Sequence, residues 1–114
     1  MKNFPSIKKN EDFRKVHSGG RSKATGNIVM YVMDNGREES RIGITISHRE
    51  GNSVVRHTFI RRIREIFRFY NNATVQGKDI VIIARNRAVG ASFDTLKDDY
   101  RKLLMFHNIY EESK

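Results

Sequence analysis

A long stretch without helix breakers is the feature that most constrains this fold. From Val54 to Tyr70 the sequence contains neither glycine nor proline, and Asn52 or Ser53 just before it can cap a helix. At 100° per residue, apolar side chains gather on one side and basic side chains on the other. The apolar residues are Val55, Phe59, Ile63, Ile66 and Tyr70, and the basic residues are His57, Arg61, Arg64 and Arg68. The sequence therefore predicts a long helix with one face for a core and one cationic face.

Shorter patterns on either side predict two more helices. One is expected from Asn10, a possible N-cap, to the Gly19-Gly20 pair that ends it. The other is expected to start near Ser92. Its apolar side would carry Phe93, Leu96, Tyr100, Leu103 and Leu104.

Three segments have the composition of strands. Residues 27–33 and 41–47 are rich in β-branched residues, and Asp34-Asn35-Gly36 between them supplies turn chemistry. These two segments are predicted to be neighbouring strands of one antiparallel sheet. Residues 78–84 form a near-continuous apolar run, which is typical of a central strand with both faces covered.

The order α-β-β-α-β-α predicts one α+β domain over residues 1–114, an α/β sandwich in which helices cover a small mixed sheet. A chain of 114 residues has the size of a single domain. It has no cysteine, which excludes disulfides, thiolate metal sites and thiol nucleophiles. Since no apolar run reaches the length of a signal peptide or a membrane span, we expect a cytoplasmic location and no membrane partner.

The charge of the chain points to a polyanionic partner. The chain has 22 Lys and Arg against 13 Asp and Glu, a formal charge of +9. Residues 41–68 contain seven Arg and two Glu, so this segment carries +5 and the other 86 residues carry +4. An isolated charged helix face is usually only solvated, but this one has little acid to balance it. Arg also binds phosphates with two hydrogen bonds and stacks on bases, so we favour RNA.

The sequence offers no self-contained nuclease site. The four histidines, His17, His48, His57 and His107, fall in four different segments. The acidic pairs are adjacent in sequence, and adjacent residues on a helix point about 100° apart, so they do not converge on one metal ion. We therefore predict no catalytic residue and no metal ligand in the chain.

Several of these segments resemble the bacterial ribonuclease P protein family. The family signature, Gly-Asn-x-Val-x-Arg-Asn-Arg running into a basic helix, is matched from Gly51 to Glu65. Residues 7–13 resemble the family's opening helix, 41–47 its Arg-x-Gly strand and 79–85 its central strand. The resemblance implies a ribosomal-protein-like α/β sandwich with a left-handed β-α-β crossover, an exception to the usual right-handed rule.

By this resemblance, the basic helix and its approach bind the catalytic RNA of ribonuclease P. The residues expected to do so are Asn52, Arg56, His57, Arg61, Arg62, Arg64 and Arg68. The chain departs from the Arg-Asn-Arg triplet, since His57 and Thr58 follow Arg56, and Ile60 replaces the usual Lys. Our hypothesis is that Arg62 supplies part of the lost charge.

The resemblance also implies a cleft between the sheet and the first helix for the single-stranded 5′ leader of precursor tRNA. Phe13, His17 and Tyr31 would line it, because unpaired bases stack on aromatic and imidazole rings. Lys9 and Lys23, with Lys8 and Arg21, would guide the phosphates. Alternatively, Phe13 is a core residue, Tyr31 only covers the sheet edge, and His17 is a polar surface residue.

The function implied is that of a ribonuclease P subunit that binds the catalytic RNA and precursor tRNA, with no DNA partner. The RNA and the Mg²⁺ that it holds would cleave the leader, and the protein would bind no cofactor tightly. One alternative is another RNA-binding module, such as a ribosomal protein of similar charge. A second is a protein-only endoribonuclease, whose activity would depend on His57 or His17.

Overall fold

The fold, taken from a computed structural model that describes residues 5–111, has three helices and a four-stranded sheet. The elements are α1 (Asn10–Gly19), β1 (Arg21–Ala24), β2 (Ile28–Asp34), β3 (Arg41–Thr45), α2 (Ser53–Tyr70), β4 (Lys78–Ala84) and α3 (Phe93–Phe106). Short 3-10 turns follow β3, α2 and β4. The predicted α+β class with a mixed sheet is confirmed, and β1 is an additional strand.

The helix caps agree with the sequence at two of three places. The side chain of Asn52 accepts a hydrogen bond from the amide of Val55 at 3.0 Å, and Ser92 accepts one from the amide of Thr95 at 3.1 Å. The predicted cap at Asn10 is wrong. The carbonyl of Lys9 already accepts from the amide of Asp12 at 3.1 Å, so Lys9 is the N-cap and Asn10 lies inside α1.

The prediction that β2 and β3 are neighbours is also wrong, because β4 lies between them. The strand order is β1-β2-β4-β3, with β4 antiparallel to β2 and parallel to β3. The apolar side chains of β4 need cover on both faces, which the centre of the sheet provides. The Asn35-Gly36 turn therefore leads the chain past the end of β4, where the side chain of Asn35 donates to Asp79 at 2.9 Å.

Helix α2 connects the parallel strands β3 and β4, so the chain contains the expected β-α-β unit. The left-handedness of that crossover stays a prediction from the family resemblance. No helix within residues 5–111 combines the length and the apolar character that a membrane span requires.

The two faces of the sheet are covered unequally. Helices α2 and α3 cover one face with a large core, in which Ile28, Met30, Ile63, Ile82 and Leu103 are fully buried. Within residues 5–111, the other face carries α1 and a small cluster of Ile7, Val16 and Val81. Because ten-residue α1 is too short to cover this face, part of the sheet stays open beside it.

An ion-pair network fixes α1 to the sheet. The Arg41 guanidinium donates two hydrogen bonds to Asp79, from Nε at 2.9 Å and from Nη2 at 2.6 Å. A second carboxylate, that of Asp12 on α1, lies 3.6 Å from Arg41 Nη1. The bonds to Asp79 raise the pKa of Arg41. One of the seven arginines counted between residues 41 and 68 therefore has a structural role.

Candidate nucleic-acid interface

A groove runs between α1 and the open part of the sheet. It has a volume of about 560 Å³ and is lined by Phe13, Arg14, His17 and Ser18 of α1 and by Thr45, Val81 and Ile83 of the sheet. The α1 residues fall at helical spacing on one side of the helix. Thr45 pairs with Ile83 in the sheet, so both side chains lie on the face toward α1. The groove is thus mainly apolar, with Arg14 at its rim.

Tyr31 extends this surface toward β2. It pairs with Val81 of β4, which directs its ring to the α1 face of the sheet. The ring stacks on His17 with centroids 4.9 Å apart and an interplanar angle of 27°. Tyr31 is half-buried and His17 is exposed, so the stack has an open side. The structure therefore brings Phe13, His17 and Tyr31 to one face.

Gly43 of β3 makes room for Phe13. A Cβ atom at this position would lie 2.7 Å from Cε1 of Phe13 and 3.2 Å from Cδ1 of Ile7. Gly43 is buried and pairs with Val81, so the Phe13 ring rests directly on strand backbone. Glycine at residue 43 thus sets how deeply α1 sits against the sheet.

We expect Gly43→Ala to displace the Phe13 ring and to reshape the groove while leaving the exposed face of α2 unchanged. Overpacking of this kind costs roughly 1 to 3 kcal/mol of folding stability. Thermal unfolding measures the loss, and the double variant Gly43→Ala/Phe13→Leu should recover part of it. If Gly43→Ala is as stable as the parent chain, the close contact is not a constraint on the fold.

Helix α2 carries four exposed cations and a half-buried arginine, Arg56. His57, Arg61, Arg64 and Arg68 are exposed, which confirms the predicted cationic face. The side chain of Arg61 makes no ion pair or hydrogen bond with any other residue between 5 and 111. Arg56 is half-buried, and its Nε donates to the carbonyl of Gly51 at 3.3 Å. We call His57, Arg61, Arg64 and Arg68 the basic row.

The groove and α2 form one connected surface. A recess of about 510 Å³ lies between Phe13 and Arg56, and another of about 350 Å³ lies between Phe13 and Arg64. Ile60 lines both recesses. Phe13 borders all three depressions, so its ring joins the groove to the edge of α2 that faces it. The stacking surface and the positive charge are therefore adjacent.

Two residues of the predicted helix site point elsewhere. The Nη1 atom of Arg62 donates to the carbonyl of Ala91 at 3.4 Å, so this half-buried side chain turns toward the segment that precedes α3. The side chain of Asn52 is engaged as the cap of α2. Both lie outside the basic row.

The predicted lysines lie in different places. Lys9 is the exposed N-cap of α1, the helix that lines the groove. Lys23 on β1 pairs with Met30, whose side chain is in the core under α3, so Lys23 points to the opposite face of the sheet. The structure therefore does not bring Lys23 to the groove. Arg14, which sequence reasoning missed, occupies the rim instead; its helical spacing relative to Phe13 and His17 was the available signal.

The remaining titratable groups do not assemble a site. Within residues 5–111 no group of three or more His, Asp or Glu side chains could hold a metal ion. His107 is buried, and its Nε2 lies 3.0 Å from the carbonyl of Met30. Burial lowers the pKa of His107, and the charges of Arg21 and Lys23 lower it further. His107 is thus a structural residue on the α3 face.

Comparison with known proteins places the chain in one family. Residues 1–107 match the family model described as Ribonuclease P. The chain belongs to the ribonuclease P protein family. It is 41% identical over 108 residues to the ribonuclease P protein component of Caldanaerobacter subterraneus subsp. tengcongensis, covering 95% of this chain and 93% of that protein. It is 37% identical over 114 residues to the one from Bacillus velezensis, covering 99% and 97%.

Solved structures of ribonuclease P proteins have the same fold. The protein from Staphylococcus aureus superposes with a TM-score of 0.86 at 30% identity, covering 96% of this chain and all (100%) of that one. The protein from Thermotoga maritima gives 0.81 at 28% identity, covering 87% and 94%. The chain is therefore a protein component of ribonuclease P, the tRNA-processing endoribonuclease complex. The family resemblance seen in the sequence is confirmed.

Proposed function

We propose that this chain is an accessory subunit with two RNA-binding surfaces. The basic row of α2 binds the catalytic RNA, and the groove beside α1 binds the single-stranded 5′ leader of precursor tRNA. The observation that carries this proposal is the junction at Phe13, where an open aromatic groove meets a cationic helix. A leader strand bound there lies alongside the RNA that cleaves it.

The groove has the chemistry for unpaired bases. Its floor is apolar, and the His17–Tyr31 stack presents flat rings, on which bases of any sequence stack with roughly 1 to 3 kcal/mol each. Val81 and Ile83 on the floor carry no polar group, so the floor between them cannot read base edges by hydrogen bonding. Arg14 at the rim and Lys9 nearby supply charge for the phosphates. Leader binding of this kind tolerates many sequences.

The basic row has the chemistry for folded RNA. Its cations are spaced along about three turns of a rigid helix, so they can meet successive phosphates without the entropy cost of ordering a loop. Arg56 and Arg64 border the recesses next to Phe13 and would contact RNA where the two surfaces meet. His57 and Thr58 stand where the family has Asn-Arg. The hydroxyl of Thr58 donates to the carbonyl of Val54 at 2.9 Å. We therefore assign Thr58 no RNA contact.

Cleavage is assigned to the catalytic RNA. The histidines lie on different elements, with His17 stacked in the groove and His107 buried under the other face of the sheet. The described residues offer no arrangement that fits a Mg²⁺ ion, so we propose that the RNA holds the metal. The protein contributes binding energy to the leader and screens repulsion between RNA phosphates.

Reconstitution tests this function. Added to a ribonuclease P RNA at low Mg²⁺, the protein should raise the rate of 5′ leader removal several-fold, while the protein alone should not cleave precursor tRNA. The variants His17→Ala and His57→Ala should keep this strict dependence on the RNA. An RNA-binding module of another complex would give no enhancement, and a protein-only nuclease would cleave without the RNA; either result overturns the proposal.

A further inference from the structure

A second group of cations lies at the turn between β1 and β2. Residues 21–27 contain two Lys or Arg, and residues 85–91 contain two more. Neither segment contains Asp or Glu. Two of these residues bind or approach the same turn. Arg85 donates from Nη1 to the carbonyl of Thr25 at 3.0 Å. Nη1 of Arg87 lies 3.8 Å from the position that a Cβ atom would take if residue 26 were not glycine.

Lys23 completes this group. It lies two residues before Thr25 on β1, is exposed, and shares the α3 face of the sheet with Met30. We call Lys23, Arg85 and Arg87 the turn cluster. Arg21 is left out, because it lies at the other end of β1 and its charge acts on Asp34.

No ion pair within residues 5–111 neutralises the turn cluster. The carboxylate that the structure joins to this turn is Asp99 of α3, which accepts a hydrogen bond from Nδ2 of Asn27 at 2.7 Å. Asp99 is only 8% exposed, and its Oδ2 is engaged by Asn27. None of the five ion pairs within residues 5–111 includes a member of the turn cluster.

The adjoining strand edge adds hydrogen-bond donors. All four residues of β1 are exposed, and β1 pairs with β2 on one side only. Thr25 and Ile28 are bonded to each other, so by the alternation of an antiparallel ladder the backbone amides of Ser22 and Ala24 point away from the sheet. Phosphate oxygens accept from such amides and from cations alike.

We propose that the turn cluster binds the phosphodiester backbone of the catalytic RNA, as a third surface separate from the groove and the basic row. This proposal rests on the proposed function. The cluster offers charge and donors without a stacking ring, which suits backbone contact. The groove opens on the α1 face, whereas Lys23 points to the α3 face, so a leader strand in the groove does not reach Lys23. A large folded RNA can contact both sides of the domain.

The double variant Lys23→Ala/Arg87→Ala tests this surface, and Arg85 is left intact because it holds the turn. Binding of a ribonuclease P RNA is measured over a range of salt concentrations. We expect the slope of log affinity against log salt to fall by about two units, because each lost phosphate contact lowers it by about one. The matched control is Arg101→Ala/Lys102→Ala, which removes the same charge from two residues paired with Asp98.

Each outcome decides between surfaces. Wild-type binding by the Lys23/Arg87 variant, or an equal loss in the Arg101/Lys102 control, overturns the turn cluster. The variant Arg61→Ala/Arg64→Ala is measured in parallel; if it also binds like wild type, the proposed function fails as well. The charge-preserving variant Lys23→Arg/Arg87→Lys should bind like wild type, and Lys23→Gln/Arg87→Gln should repeat the loss if the alanine variant is unstable.

Discussion

Replacing Arg61 and Arg64 together by alanine should weaken binding of the catalytic RNA by roughly 100-fold at moderate salt. A hydrogen bond to a charged group contributes about 1.5 kcal/mol, and about 1.4 kcal/mol is a factor of ten in affinity. Both side chains are exposed on the rigid helix α2, so their loss should leave the fold intact. Affinity is measured by titration at several salt concentrations, and the salt slope should fall by about two units.

Arg62→Ala is the matched control for the single variant Arg64→Ala. It removes the same side chain from the same helix, but Arg62 is half-buried and donates to the carbonyl of Ala91. If Arg62→Ala leaves RNA affinity unchanged while Arg64→Ala lowers it, the hypothesis that Arg62 compensates for His57 and Thr58 is dropped. If the Arg61/Arg64 variant binds RNA like the parent chain, α2 is not the surface for the catalytic RNA.

The long helix was predictable because its signals are local. The cap at Asn52 depends on local hydrogen bonding. The separation of Phe59 and Ile63 from Arg61 and Arg64 depends on helical geometry and on whether each side chain is more favourable when buried or when in water. Burial confirms this separation, since Phe59 and Ile63 are in the core and both arginines are exposed. Such short-range patterns carry over directly from sequence to structure.

The sheet order was not predictable in the same way. β2 and β3 are adjacent in sequence, and the Asn35-Gly36 turn between them suggested a hairpin, but the apolar strand β4 lies between them. Strand pairing is decided by which arrangement buries the most apolar surface over the whole sheet, which a local pattern does not report. β1 was missed because its four exposed residues have no apolar alternation.

The same limit explains which of the predicted site residues share one face in the structure. Phe13 and His17 are four residues apart on α1, so helical geometry puts them on one face, and the family resemblance added Tyr31. For Lys23, the sequence shows no strand signal at β1 and so gives no basis for placing its side chain on either face of the sheet. Its side of the sheet depends on the pairing with Met30, and a shift of one residue would reverse it.

Tyr31→Ala should impair binding of the leader and spare assembly with the catalytic RNA. The change removes the ring that stacks on His17, and one lost base stack costs roughly 1 to 3 kcal/mol, which is about 5- to 150-fold in affinity. The measurement compares the affinity of the reconstituted complex for precursor tRNA with a leader and for the same tRNA without one.

Tyr31→Phe is the control, because it keeps the ring and removes only the hydroxyl, so it should bind the leader almost like the parent chain. Since Tyr31 is half-buried beside Val16 and Val81, thermal unfolding of both variants separates lost packing from lost stacking. The two-surface proposal requires that Tyr31→Ala and Arg61→Ala/Arg64→Ala have different targets. Equal losses by both variants toward leader and catalytic RNA would mean that the groove and the basic row act as one surface.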